Sequence, residues 1–483
     1  MTGLGGWLCL ALVVAPAQPP APVSPPQADS WKLETVVRTP PFEPLEGLVV
    51  RQDPAGIELR QVIRKPGRPT FIITVRVPQD QVERVDLLDS EDRDLLVKRL
   101  DLIVAERAKR FARLKLLEKP PAPGSDSAEP PVGLSRADWP TDKPGTQRAW
   151  KYAGQRFTLI TTARPEIAEL CALQLDQVFS AFERLLPARQ ESGPVSILVT
   201  SSLEEWQALC KARGRAVLNP AWCDTSIGEV GLATDQTKLD ARMEQLRVQH
   251  TQNLSELQSR GDELRKAYGG KLPPELQRPF DQSLKSLRET AITNERILRQ
   301  ERDRLFSRMN HEVFHAYLSR FVLRPGMTIP PWLNEGLAQL FESALVEAGD
   351  LRADLADPER VKRFRAEVQA GRDLALEELL KSPASRFHVT GSDDMEASRQ
   401  AYLASWALCS WLVLDKGRLR LEDLDGFSSA DPALLDSRAI FGKVFSIPVE
   451  EAQNQVRETF RKGAPGQSRA VPPATSGETA TRP

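Results

Sequence analysis

"HEVFH", residues 311–315, holds two of the four histidines in a chain of 483 residues. His311 and His315 are four positions apart, so on a helix both rings leave one face about a turn apart. That separation lets two imidazoles bind one Zn²⁺ at ~2.0–2.1 Å. Glu312 follows the first histidine and can serve as general base for the water that a zinc ion activates. Val313, Phe314, Tyr317 and Phe321 form a broad apolar arc with the histidines at its edge, which predicts a half-buried helix. Chance would supply about 0.002 such matches per chain of this composition. The competing reading is a pair of core or capped histidines.

A third ligand decides between these readings. "PPWLNEGLAQLFE", residues 330–342, has a proline able to open a helix at Pro331 and helical spacing from Asn334 to Glu342. Glu335 lies 20 positions beyond His315. On a second helix packed against the first, it would complete a His₂Glu set and leave one position for water. Taken alone it is one more surface glutamate.

Composition bounds the rest. Net charge is −1, hydrophobic content 41% and charged content 27%, so nothing global draws the chain to nucleic acid or to anionic membranes. Residues 7–15, "WLCLALVVA", are apolar but too short to span a bilayer, and "APA" at 15–17 offers a small-x-small cleavage site. This predicts an exported protein, periplasmic or extracellular, although Met1–Gly6 lacks a basic residue. No later run of ~20 apolar residues predicts a transmembrane helix. Past residue 17 the cysteines are Cys171, Cys210, Cys223 and Cys409. They permit two disulfides, Cys210–Cys223 closing a short loop, or else buried free thiols. There is no CxxC pair to suggest a cysteine zinc site.

The pattern along the chain predicts an α+β protein. Residues 18–30 are a Pro-rich lead. Residues 31–90 alternate in short runs ("GLVVRQ", "GIELRQVI", "TFIITVRV") and read as a small antiparallel β domain or barrel. Residues 91–118 have helical period without Pro or Gly, and 119–147 read as a linker. The second domain, 148–462, opens as strand, helix, strand, helix, with Ser201 and Ser202 placed to cap the second helix. Residues 236–300 are charged and weakly heptad, with Gly and Pro at 269–274, and read as an inserted antiparallel helical hairpin. His250 falls on its seam, a structural position, and the second arm has no break before Arg308. Residues 463–483 read as a disordered tail.

"HEVFH" followed by "WLNEGLAQLFE" resembles the gluzincin metallopeptidases, and is most similar to the peptidase-MA-like domain of exported bacterial proteins of unknown function. The likeness spans roughly residues 150–460, including "QAYLASWALCSWLVLDKG" from Gln400 where relatives carry a Tyr- and Trp-bearing helix. It implies a zincin-like metallopeptidase domain, with the hairpin inserted and the small β-rich domain preceding it. It also implies Zn²⁺ held by His311, His315 and Glu335, with Glu312 as general base. Three departures stand out. The His-to-Glu interval is one residue longer than in the aminopeptidases. Their substrate-amine strand, Gly-x-Met-Glu-Asn, has no counterpart in "SIGEVGLATD". Gln339 also replaces a carboxylate that many relatives carry four residues past the ligand Glu. A Gln behind a ligand histidine accepts the same hydrogen bond without adding charge, which predicts weaker metal binding.

An oxyanion donor is also needed. Tyr402 is the leading candidate, on the helix where relatives place a tyrosine, and His388 is the rival. Two functional classes follow. One is a zinc-dependent peptidase acting on a peptide or protein laid along an edge strand, "GEVGLAT" being the candidate, with the hairpin as a recognition surface. The other is a non-catalytic zinc-containing binding or scaffold protein of the cell envelope.

Overall fold

The computed structural model describes residues 31–463, apart from 66, 118–132, 217–218, 235, 348–349, 354–356, 388–393 and 432–434. The leader, the Pro-rich lead, His388 and all but the first residue of the tail lie outside the described residues. The architecture is mixed, with a β-rich N-terminal part followed by a second part in which helices predominate.

The N-terminal part is one antiparallel sheet of five strands: β1 (Glu34–Arg38), β2 (Leu45–Asp53), β3 (Gly56–Ile63), β4 (Phe71–Pro78) and β5 (Val82–Asp86). Their order is β4-β3-β2-β1-β5, so the sheet is open with β4 and β5 at its edges. Period-2 alternation sorts its side chains. Val36, Val49, Ile57, Leu59 and Val77 form one cluster, while Leu48 and Val62 pack under Leu96 and Leu100 of α1 (Ser90–Leu117). Buried Glu34 accepts from the Val49 amide at 2.6 Å and pairs with Arg93, tying sheet to helix. Farther along, Arg107 and Arg110 of α1 bind Asp350, and Arg113 binds Glu169, so the same helix is clamped to the second part.

That part is built on six strands, β6 (Leu134–Ala137), β7 (Ala149–Ala153), β8 (Phe157–Thr161), β9 (Val195–Val199), β10 (Ala221–Asp224) and β11 (Glu229–Leu232). The order is β10-β11-β9-β8-β7-β6; β8, β9 and β11 run parallel and the remaining pairs are antiparallel. Helices α2 (Pro165–Leu185) and α3 (Leu203–Ala212) make the crossovers. Ser202 caps α3 by accepting from the Glu205 amide at 3.3 Å. Two sequence expectations are corrected here. Strand β6 and the buried Trp139 fall inside the stretch expected to be a linker, because "LSRA" is too short and polar to show alternation. "GEVGLAT" is not an edge strand: β11 lies between β9 and β10, and the open edge belongs to β10.

The hairpin consists of α4 (Gln236–Ala267) and α5 (Pro274–Tyr317), about 48 and 66 Å long at 1.5 Å per residue. Gly269 and Gly270 turn its tip with positive φ. Arg247 bonds both oxygens of Glu295 across the seam, and His250 Nε2 lies 2.9 Å from the Leu287 carbonyl. Helix α5 runs unbroken from the tip through HEVFH, so the outer arm and the site helix are one element.

Beyond it come α6 (Pro331–Glu342), the two-stranded β12 (Leu345–Glu347) and β13 (Asp350–Arg352), then α7 (Pro358–Gln369), α8 (Leu376–Leu380), α9 (Asp394–Ser410), α10 (Asp423–Gly426), α11 (Ser437–Phe445) and α12 (Val449–Lys462). Cys171, Cys210, Cys223 and Cys409 are all free thiols, so neither disulfide is formed. Among the described residues no helix is long and apolar enough to cross a membrane.

Helix α6 is held between α5 and α9, and Gly336 sets how closely. A Cβ there would stand 2.5 Å from Cys409 Sγ and 2.6 Å from the Ser405 carbonyl oxygen. Gly336→Ala must therefore push the helices apart, at a cost of about 1–3 kcal/mol. The melting temperature should fall by roughly 3–10 °C in differential scanning calorimetry. An unchanged value would show that α6 and α9 can separate freely.

Candidate functional site

Packing places the HEVFH helix with its histidines at the rim of the core. Val313, Phe314 and Tyr317 are fully buried, and the Tyr317 hydroxyl donates to the Leu186 carbonyl at 2.7 Å. Phe314 stacks on Phe341 of α6 with ring centroids 5.4 Å apart, and Phe182 of α2 packs edge-on against both. Buried Asn310 donates to the Phe341 carbonyl at 3.0 Å and accepts from Gln174 at 3.3 Å, fixing α5 to α6 and α2. His311, Glu312 and His315 are left half-buried on the other side.

Helix α6 brings Glu335 to them. Its Oε2 lies 3.2 Å from His311 Nε2 and its Oε1 3.7 Å from His315 Nε2. The imidazole centroids are 4.9 Å apart with rings nearly perpendicular. One donor atom from each of His311, His315 and Glu335 lies within 4.8 Å of the other two, a group that could hold a metal ion. Both rings are tied through their other nitrogen. His315 Nδ1 is 3.0 Å from Asn334 Oδ1, and His311 Nδ1 is 3.4 Å from Glu342 Oε2. Such contacts set the tautomer that leaves Nε2 free for a ligand. Glu342 is in turn held by Arg360 of α7 at 2.9 Å.

The charges reinforce each other. Burial alone would lower the His311 pKa, but hydrogen bonds to Glu335 and Glu342 outweigh it and raise the value to about 10. Burial likewise opposes ionisation of Glu342, yet His311 and Arg360 hold it at about 2.

Two further elements close on the site. From α9, the Tyr402 hydroxyl donates to the Phe387 carbonyl at 3.0 Å. Its pKa is pushed well above the ordinary phenol range by burial and by the negative charges of Glu335, Glu312 and Glu342, so it remains a protonated donor beside the cluster. From β10, which packs against α5, the Cys223 thiol is raised by burial first and by the negative charge of Glu312 second. The Pro220 and Asp224 carbonyls accept from the Ala233 and Gly228 amides that flank β11, at 2.7 and 2.8 Å. By the alternation of an antiparallel ladder, the amides and carbonyls of Ala221 and Cys223 then face the open edge.

Gln339 serves a different purpose from the one its spacing suggested. It is buried and its amide donates to the carbonyls of Tyr402 at 3.0 Å and Glu335 at 3.3 Å, bracing α6 to α9. The carboxylate behind a histidine is Glu342, seven residues past Glu335 and on the same helical face. Neither Glu342 nor Asn334 stood out in the sequence. The i, i+7 spacing from Glu335 was the available signal for the first, and nothing distinguished the second.

The family model described as Protein of unknown function (DUF1570) matches residues 306–432, a span that includes His311, Glu312, His315, Glu335, Gln339, Glu342 and Tyr402. No curated protein and no solved structure matches the chain.

The His311 pairings set a pH window for the metal-free protein. A pKa raised from 6.5 to about 10 gives stability that is complete below pH 6.5 and is lost as pH rises through about 10. Chelator-treated protein should melt at steadily lower temperature between those limits. Glu342→Gln removes one of the two charges responsible and should flatten that slope in scanning fluorimetry. Identical slopes for wild type and variant would contradict the pairing.

Proposed function

We propose that this chain is a zinc-dependent hydrolase, specifically an exported peptidase of the gluzincin, zincin-like type. The observation that supports this best is the convergence of His311, His315 and Glu335 within 4.8 Å, with the far nitrogen of each ring already engaged. Two neutral imidazoles and one carboxylate are a donor set that suits Zn²⁺ and leaves a position open. When bound, zinc would supply Lewis acidity and lower the pKa of a water toward ~7.

The chain's own residues then have separate tasks. The Glu312 carboxylate takes a proton from the attacking water and passes it to the leaving nitrogen of the peptide. The protonated Tyr402 hydroxyl donates to the carbonyl oxygen as negative charge develops there, exchanging its bond to Phe387 for one to substrate. Ala221 and Cys223 offer main-chain groups to an extended substrate as an added strand. Asn334 and Glu342 keep the two rings oriented. The outer arm of the hairpin continues directly into the site helix, which suits a role in protein-substrate recognition.

Metal content and turnover test this together. Purified protein should hold about one zinc per chain, and His311→Ala, His315→Ala and Glu335→Ala should each lose it. Glu312→Gln should keep zinc but lose peptide hydrolysis by about 10²–10⁴-fold, scored on a peptide-library digest with and without chelator. Full zinc occupancy in His311→Ala would overturn the ligand assignment. Zinc-loaded wild type that cleaves no peptide would favour the scaffold reading.

A further inference from the structure

Strand β10 is the element beside the site least able to hold itself. It is the outermost strand of its sheet, four residues long, and its ladder partner is β11 alone. A strand so short frays unless something besides its ladder holds it. Its body is fixed from one side by Arg215, which bonds Asp224 and lies over the Trp222 ring, 5.2 Å from the centroid. The turn that follows it is fixed from the site side.

Arg320 does this. It lies five positions beyond His315, on a π-helical turn, Leu318–Val322, that continues the HEVFH helix. Such wide turns recur at functional positions. Gln190 braces this one by donating to the Arg320 and Leu323 carbonyls at 2.8 and 3.0 Å. The guanidinium joins two separate segments. Nη1 donates to the Ile227 carbonyl in the β10–β11 turn at 3.0 Å, and Nε donates to the Gly193 carbonyl ahead of β9 at 2.9 Å. Two glycines leave room for it. A Cβ at Gly228 would stand 2.5 Å from Arg320 Cδ, and one at Gly193 would stand 3.1 Å from Nη2. Gly228 also has a φ of +65°, which residues with side chains rarely adopt. A lysine ammonium, a single point on a flexible stem, does not reproduce this two-ended fork. One helix thus carries the histidines and, just beyond them, the side chain that holds the edge strand. We propose that Arg320 is a positioning residue for substrate: it sets the β10–β11 turn against the HEVFH helix, so that Ala221 and Cys223 receive an extended peptide at a fixed spacing from Glu312. This role rests on β10 docking the substrate of the peptidase proposed above.

Arg320→Lys in the full chain tests this, with zinc content and melting temperature confirming that the variant folds. Amide hydrogen exchange across residues 221–229 should quicken about tenfold as the turn frays, while α6 stays as protected as in wild type. On peptides of about eight residues KM should rise about tenfold with kcat held within about twofold, the pattern of lost binding shared by ground and transition states. Peptides of about two residues, which cannot span Ala221 to Cys223 at about 3.3 Å per residue, should change by less than about twofold. Gly228→Ala crowds the Arg320 side chain from the opposite direction and should reproduce the dependence on length. The double variant should be no worse than either single one, as expected for two residues in one contact. Unchanged exchange at 221–229 in Arg320→Lys overturns the proposal. In a wild type that cleaves, equal losses on long and short peptides, or none on either, overturn the positioning role and leave the peptidase reading standing. A zinc-loaded wild type that cleaves neither length removes the peptidase reading and this role with it.

Discussion

Glu335 can reach both histidines only because α6 is wedged between α5 and α9. Three contacts hold it there. Phe314 stacks on Phe341, Asn310 bonds the Phe341 carbonyl, and Gly336 lets α9 approach to backbone distance. The first two fix α6 relative to HEVFH and the third fixes Tyr402 relative to both. Gln339 completes the arrangement by joining the carbonyls of Glu335 and Tyr402. Residues from three separate helices thus meet at one place through core packing, which is more precise than placement on loops.

Polar contacts then decide what the assembled group can do. Each imidazole uses Nδ1 for orientation, His311 toward Glu342 and His315 toward Asn334, so the Nε2 atoms converge on Glu335. The Glu342–Arg360 pair extends the network to α7 and places a full negative charge behind His311. The Gln at position 339 alone suggested a weakened site, whereas the structure supplies the missing carboxylate from one turn farther on. Tyr402 is kept protonated by its burial first and by three nearby carboxylates second, so it stays a hydrogen-bond donor beside the cluster.

Much of this was legible before folding. HEVFH and WLNEG each carry a local period, and a histidine pair at i, i+4 shares a helix face without any tertiary information. The hairpin was legible for the same reason: its seam repeats along the chain, and His250 sits on it as the repeat implies. What the sequence did not disclose depends on contacts between distant segments. Glu342 matters only because α7 delivers Arg360 to it. Strand β11 matched an edge strand in composition, and only the pairing of β10 outside it shows otherwise. Strand β6 is four residues among prolines and polar side chains, and it exists because β7 offers it a ladder. Trp139, just after it, is buried by Trp206 and Leu209 from α3, seventy residues away in sequence.

The N-terminal sheet and the hairpin bear on the site through rigid elements. Helix α1 connects the sheet to the second part through arginine–carboxylate bonds, and α5 carries the hairpin seam into the histidines without a break. The proposed function rests on what His311, His315 and Glu335 hold between them. X-ray absorption at the zinc edge of the purified protein examines it most directly. The account predicts a nitrogen and oxygen shell at about 2.0–2.1 Å with the outer scattering of two imidazoles. A sulfur shell near 2.3 Å, or a spectrum without imidazole scattering, would contradict it.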